Sequence, residues 1–166
     1  MLVGTPGLGK STWAKSHAAM IPGAVKIVSR DKIRFALVKE NEEYFSKEKE
    51  VFKEYIKEIK KGLKYYDYTI ADATHLNLAS RTKLLRALGS SLYGVEVDAI
   101  VIYGSLETAL EQNENRLGTR SYVPQDQIRK MYNQQTIPSF EEGFNKIYIY
   151  QANRTGIKYS IFERKE

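Results

Sequence analysis

Cysteine is absent from the 166-residue chain, which excludes disulfides, a disulfide-linked partner, thiolate metal sites and cysteine nucleophiles. Histidine is almost absent: His17 and His75 are the only two, too few for a His-rich metal site. No apolar run approaches the roughly 18 residues a membrane helix needs. The start also lacks the basic segment, apolar core and small-residue cleavage site of a secretory signal. We therefore expect a protein of the cytoplasm with no membrane partner, in which the glycosylation-like triplet Asn153-Arg154-Thr155 carries no meaning. Glycine (11) and proline (4) are too scarce for a disordered or collagen-like chain. With 42% hydrophobic and 28% charged residues, the length suits one domain over residues 1–166, and oligomeric state is not encoded at this level.

Positive charge is in excess. Lys plus Arg outnumber Asp plus Glu by 26 to 20, a formal +6, and the pI is about 9.3. That balance suits a polyanionic partner such as a nucleic acid or a nucleotide, and equally a well-solvated surface.

The chain alternates strands and helices. Leu2-Val3 runs into the glycine-rich Gly4-Thr5-Pro6-Gly7-Leu8-Gly9-Lys10-Ser11-Thr12, after which Trp13, Ala14, His17 and Ala18 fall at helical spacing. Ala24 to Val28 reads as a strand leading to Ser29-Arg30-Asp31, with a helix over Lys32 to Leu37. From Asn41 to Lys64 the apolar stripe Val51, Phe52, Tyr55, Ile56, Ile59 and Leu63 predicts one long amphipathic helix with its charges on the solvated face. Tyr66 to Ala71 predicts a strand delivering Asp72 to its C-terminal end. Asn77 opens a helix through Leu88, and Val95 to Tyr103 reads as a central strand buried on both faces. Ser105 caps a further helix, Pro124 starts another, and Tyr148–Tyr150 and Lys158–Phe162 read as closing strands. This pattern predicts an α/β fold with a central parallel sheet covered by helices on both faces, its sites at the C-terminal edge of the strands. Only Met1-Leu2-Val3 precede the glycine-rich loop, where a strand usually has about five residues. The expectation is a shortened, weakened strand.

The chemistry begins with Gly4 to Ser11, which satisfies G-x-x-x-x-G-K-[ST]; chance gives about 1 match in 100 chains of this composition. Each position has a physical reason. Glycines let backbone N–H groups converge on phosphate oxygens, the following helix start adds positive potential, Lys10 reaches the β- and γ-phosphates, and Ser11 offers a hydroxyl to Mg²⁺. Phosphoryl transfer then needs a carboxylate able to take the nucleophile's proton, and Asp31 and Asp72 both follow strands that end at this edge. On the residues alone Asp31 could equally be a helix N-cap and Asp72 a turn residue. Arg30 and Arg34 flank Asp31, Arg34 one helical turn away, where it could grip a substrate phosphate or simply solvate the surface. Arg116 and Arg120 lie in a polar stretch suited to a closing lid. His75 reads as a structural hydrogen-bonder, and the 12 tyrosines mostly as core.

Taken together, these motifs resemble the 5′-hydroxyl polynucleotide kinases of phages and bacterial RNA-repair systems, within the P-loop kinases. The likeness runs through Gly4–Ala14, Ser29-Arg30-Asp31-Lys32-Ile33-Arg34, Asp72-Ala73-Thr74-His75-Leu76-Asn77, Asn115-Arg116 and Val123-Pro124. It implies a three-layer P-loop kinase fold with a helical lid at about 112–130, acting in a bacterial or phage-infected cell. The implied cofactors are ATP and Mg²⁺, with Gly4 to Thr12 holding the nucleotide and Ser11 the metal. It further implies a polynucleotide with a free 5′-hydroxyl as substrate, Asp31 as general base and Arg34 on the adjoining phosphate. Arg30, Asp72 and Asn77 would lie on the acceptor side, with Arg116 and Arg120 over the ATP phosphates. At the start of the lid helix, where relatives often carry an arginine, this chain has Gln112. No phosphatase or ligase module is expected beside the kinase. Wider relatives with the same loop phosphorylate small-molecule hydroxyls of sugars, nucleosides or antibiotics, which is the alternative, and a nucleotide-binding switch is a third.

Overall fold

The computed structural model describes residues 1–153 and 156–163, with the backbone alone for 153 and 156–163. The triplet at 153–155 therefore lies partly outside the described residues. Among the described residues, six strands and six α-helices follow in the order β1 (Leu2–Val3), α1 (Lys10–Ala18), β2 (Val25–Ser29), α2 (Arg30–Leu37), α3 (Glu48–Tyr65), β3 (Tyr68–Asp72), α4 (Leu78–Leu88), β4 (Ala99–Tyr103), α5 (Leu106–Glu114), α6 (Gln125–Gln134), β5 (Lys146–Asn153) and β6 (Gly156–Glu163).

The architecture is the expected α/β fold. β4 lies between β1 and β5, all parallel, with Val3 opposite Val101 and Val101 opposite Ile149. β2 and β3 form a separate parallel pair in which Ser29 stands opposite Asp72. The two sheets meet where the short β1 runs out. There the Gly4 N–H donates to the Thr74 carbonyl at 2.9 Å, and His75 Nδ1 lies 2.7 Å from the Leu2 carbonyl.

The alternation of side chains along each strand assigns the layers. Val28, Ala71, Val3, Ala99, Val101 and Ile147 pack with Tyr55 and Ile59 of α3, Leu84 and Leu88 of α4, and Phe144. Ile27, Ile70, Leu2, Ile100 and Ile102 face the other way, against Trp13 and Ala14 of α1, Ala109 of α5 and Ile128 of α6. A sheet buried on both faces is what lets its C-terminal edge carry polar loops without exposing the core.

One expectation gains a detail and one is corrected. The central strands β1, β4 and β5 are parallel as expected, and β6 adds an antiparallel edge to β5. Only two residues join them, far short of a crossover connection. The long helix expected from Asn41 begins only at Glu48. Ahead of it, Glu42 accepts from the Lys39 N–H at 2.7 Å and Lys47 Nζ donates to the Leu37 carbonyl at 2.9 Å. These side chains hold the backbone in turns instead of a helix. Among the described residues no helix is long and apolar enough to cross a membrane.

Candidate functional site

The glycine-rich loop leaves β1 and enters α1. Gly7 has φ 88°, and a Cβ there would strike the Ala109 carbonyl of α5, so the loop packs directly on backbone. Gly9 has φ 90° and nothing within 4 Å of where its Cβ would stand. That open face at a helix start, lined by backbone N–H groups, is a cradle for an anion.

Lys10 is buried and folds back across the loop, its ammonium donating to the Thr5 carbonyl at 2.9 Å. Burial lowers its pKa to about 8 against the opposing pull of Asp72 and Asp31, and Arg116 lowers it further. Those couplings bring Asp31, Asp72 and Arg116 into electrostatic reach of one ammonium. The Ser11 hydroxyl donates to Asp72 at 2.8 Å. Asp72 is buried, and this desolvation raises its pKa. The pair fits Mg²⁺ by its donor chemistry: one hydroxyl and one carboxylate, hard oxygen ligands that leave most positions to phosphate and water. Among the described residues there is no cluster of three or more His, Cys, Asp or Glu that could hold a metal alone.

Sequence reasoning missed what closes the loop from above. Gln135, just past α6, accepts through its amide oxygen from the Thr5 N–H at 2.9 Å and the Thr5 hydroxyl at 2.7 Å. Gln135 is itself fixed by its neighbour: Thr136 donates its N–H to the Leu76 carbonyl and accepts from Arg81 at 3.0 Å. Arg81 is 1% exposed and pairs with Glu142 through two bonds, 2.6 and 2.8 Å. A buried, bidentate pair of this kind fixes geometry. Nothing in the local sequence marks Gln135, because its partner lies 130 positions away.

Behind the loop lies a cavity of about 530 Å³ lined by Leu8, Thr12, Trp13, His17 and Tyr150 among others. Trp13 stacks on His17 at 4.3 Å and meets Tyr150 edge-on at 5.5 Å. Its size and aromatic walls suit a nucleobase.

The second cluster grows from β2. Ser29, not Asp31, caps α2 by accepting from the Lys32 N–H. Asp31 therefore has its carboxylate free of capping, 64% exposed, and accepts from Arg34 at 2.7 Å. Arg34 also donates to Glu48 at 2.9 Å and Tyr44 at 3.1 Å, with the Tyr44 ring 4.6 Å from its guanidinium. Burial works against the Arg34 charge, but the bond to Glu48 and the neighbouring Tyr44 and Asp31 more than offset it, and its pKa is raised. Tyr44 is pushed up to about 12 by burial and by Asp31. Arg30 pairs with the same Glu48. The Nε atoms of Arg30 and Arg34 are buried without partners, two unmet donors of the kind that buried polar groups seldom leave. Tyr44 and Glu48 were invisible as site residues in a segment that reads as solvated charge.

Asn77 is the N-cap of α4, accepting from the Ser80 N–H at 3.0 Å. The stretch 112–130 covers the end of α5, a polar loop and the first half of α6; Asn113 closes its base with reciprocal bonds to Val123 of 2.7 and 3.0 Å. Arg116 lies within electrostatic reach of Lys10. Arg120 instead donates to the Phe35 and Val38 carbonyls at 3.1 and 2.6 Å and stacks on Phe35, tying this stretch to the end of α2.

A glycine-rich anion cradle, a lysine folded over it and a pair formed by Ser11 at the start of α1 and Asp72 at the end of β3 define a P-loop nucleotide-binding protein. The chain belongs to the AAA domain family AAA_33, a P-loop NTPase and kinase family, whose model matches residues 1–138. No curated protein matches the chain.

Proposed function

We propose that the protein is an ATP- and Mg²⁺-dependent kinase that phosphorylates the 5′-hydroxyl end of a polynucleotide. The observation that carries this is the Asp31–Arg34 pair, joined at 2.7 Å just past the end of β2, next to the β3 end that carries Asp72, the carboxylate bonded to Ser11. A nucleotide switch has no need of an exposed carboxylate with an arginine beside it. A kinase for a hydroxyl flanked by phosphate needs both.

When bound, ATP supplies the γ-phosphoryl group and Mg²⁺ neutralises the charge on its oxygens. The roles of the chain's own residues follow from their chemistry. Lys10 and the loop N–H groups would hold the phosphates, Ser11 and Asp72 would ligate the metal, and Trp13, His17 and Tyr150 would wall the base. Asp31 takes the proton of the attacking hydroxyl on its carboxylate, while Arg34 grips the neighbouring phosphate. Arg116 adds positive charge above Lys10. Arg30 and Glu48 hold Arg34 in place.

The test is transfer of label from γ-labelled ATP to DNA and RNA oligonucleotides with free 5′-hydroxyls and to nucleoside 3′-phosphates, beside 5′-phosphorylated controls. Label on the hydroxyl ends alone is expected. Asp31→Asn should lower kcat by about 10²–10⁴ with the fold intact; an unchanged rate removes Asp31 from the base role. Bound nucleotide with no label on any of these acceptors would shift the assignment to a small-molecule hydroxyl.

A further inference from the structure

One charged surface has no part in the site described above. α3 carries Lys53, Lys57, Lys60 and Lys64 at steps of four, three and four residues, which sets them in a single row along the helix. All four are exposed. With Lys61 and Tyr65 they line an open groove of about 490 Å³. Lys57 and Lys61 are partnered by Glu54 and Glu58 at 2.9 and 2.5 Å. Lys53 and Lys60 make no ion pair among the described residues, and Lys64 lies over the Tyr65 ring at 5.0 Å. Like charges one turn apart destabilise a helix, so a row in which Lys57 alone has an ion pair among the described residues is unfavourable until an extended anion lies along it.

The position of the row matters as much as its charge. It starts about a turn and a half beyond Glu48, the residue that holds Arg30 and Arg34 beside Asp31, and lies about 150° round the helix from it, so a strand leaving Asp31 crosses the helix surface to reach the row. It then runs about 16 Å away along the helix. Near its far end Tyr65 is 67% exposed, an aromatic face of the kind unpaired bases stack on.

We propose that this row binds the phosphate backbone of a single-stranded nucleic acid whose 5′ end lies at Asp31, with Tyr65 stacking a base downstream. The assignment rests on the polynucleotide reading above, since an acceptor of one or two residues would not reach the row. The positively charged track gives affinity without sequence preference.

The experiment compares wild type with a Lys53→Ala/Lys60→Ala/Lys64→Ala variant, and with the three lysines changed to arginine. KM is measured for a 12-nucleotide 5′-hydroxyl acceptor and for a nucleoside 3′-phosphate, and binding of a labelled 12-mer is followed by anisotropy across salt. The alanine variant should raise KM for the 12-mer about tenfold while leaving kcat and the nucleoside KM within twofold. Its plot of log Kd against log salt should be shallower by about 2, at about 0.7 for each phosphate that is no longer neutralised. The arginine variant should behave as wild type. An unchanged salt slope, or equal KM changes for both acceptors, overturns the proposal, and tighter binding of blunt duplex than of single strand overturns its single-stranded part. If neither acceptor is phosphorylated by wild type, the kinase reading fails by itself, and the anisotropy titration still decides the row.

Discussion

The glycine-rich loop and the Asp31 cluster stand on different sheets and are stabilised in opposite ways. The loop belongs to the four-stranded sheet, and its charged group, Lys10, is buried and satisfied by the backbone carbonyl of Thr5. The Asp31 cluster belongs to the β2–β3 pair, and its charges satisfy one another: Arg34 with Asp31 and Glu48, Arg30 with Glu48. A site satisfied by backbone is preformed, and anions enter it without rearranging it. Where charges are paired among themselves, a pairing must loosen before the same groups serve a ligand. The first arrangement suits a nucleotide common to many reactions; the second suits discrimination between acceptors.

The largest expected effect breaks the nucleotide half alone. Lys10→Met should lower transfer by on the order of 10³ or more, since it removes a positioned cation from the phosphates. Because methionine removes a desolvated charge from a buried position, the melting temperature should hold or rise. Loss of activity with a collapsed melting temperature would mean that Lys10 is structural.

Breaking the other half should leave the first untouched. Glu48→Gln removes the carboxylate shared by Arg30 and Arg34 and leaves Arg34, 7% exposed, to rely on its bonds to Asp31 and Tyr44. The acceptor KM should rise about tenfold and stability should fall by about 1–3 kcal/mol. KM for ATP should stay within twofold. Equal changes in both KM values would show that the two halves are not separable.

The strut between the halves gives the next effect. His75 has φ 41° and is 4% exposed. Burial lowers its pKa from 6.5 to about 3, against the bond to the Leu2 carbonyl. The neutral ring therefore donates from Nδ1 to Leu2, and Nε2 faces the Tyr55 hydroxyl at 3.4 Å. The unfolded chain binds the proton that the folded one refuses. Stability from this group is complete above pH 6.5 and is lost as pH falls toward 3, by up to about 1.4 kcal/mol per unit. His75→Asn keeps a donor and tolerates the left-handed backbone. Denaturant titrations between pH 6.5 and 5 should show a clearly flatter dependence for the variant, which retains the same-signed contributions of His17 and of the Met1 amino group, whose pKa values burial also lowers. Identical slopes would place the linkage elsewhere.

What the sequence made legible follows the same division. The loop was readable because its geometry is local: glycines, Lys10 and Ser11 act within nine positions, and Asp72 announces itself at the end of a β-rich run. The layers were readable from periodicity, since the apolar stripe of α3 and the alternation in β4 are statements about one element at a time. Gln135 on Thr5, Glu48 on Arg34 and Arg81 on Glu142 are pairings across 130, 14 and 61 positions, and no local pattern encodes a pairing. The turns before α3 were hidden for a related reason: Glu42 and Lys47 look like helix-face charges until their bonds to backbone are seen. The antiparallel β6 was hidden by direction, which hydropathy does not carry.

The smallest effect sharpens the claim that the nucleotide half is preformed. In the free protein, burial sets the Lys10 pKa at about 8, with Asp72 and Asp31 pulling the other way. Phosphate oxygens beside the ammonium favour its charged form, so nucleotide binding at pH 8 should take up about half a proton, and almost none at pH 6.5. Above pH 8 the dissociation constant should rise by up to tenfold per unit, because the neutral lysine must first be protonated. Calorimetry in buffers of different ionisation enthalpy measures the uptake directly, and Lys10→Met supplies the control in which it should vanish. An uptake of zero at pH 8 in wild type would mean that the ammonium is already fully charged in the empty loop. The bond to Thr5 would then stabilise the cation more than burial opposes it, and the loop would attract anions equally well across this pH range.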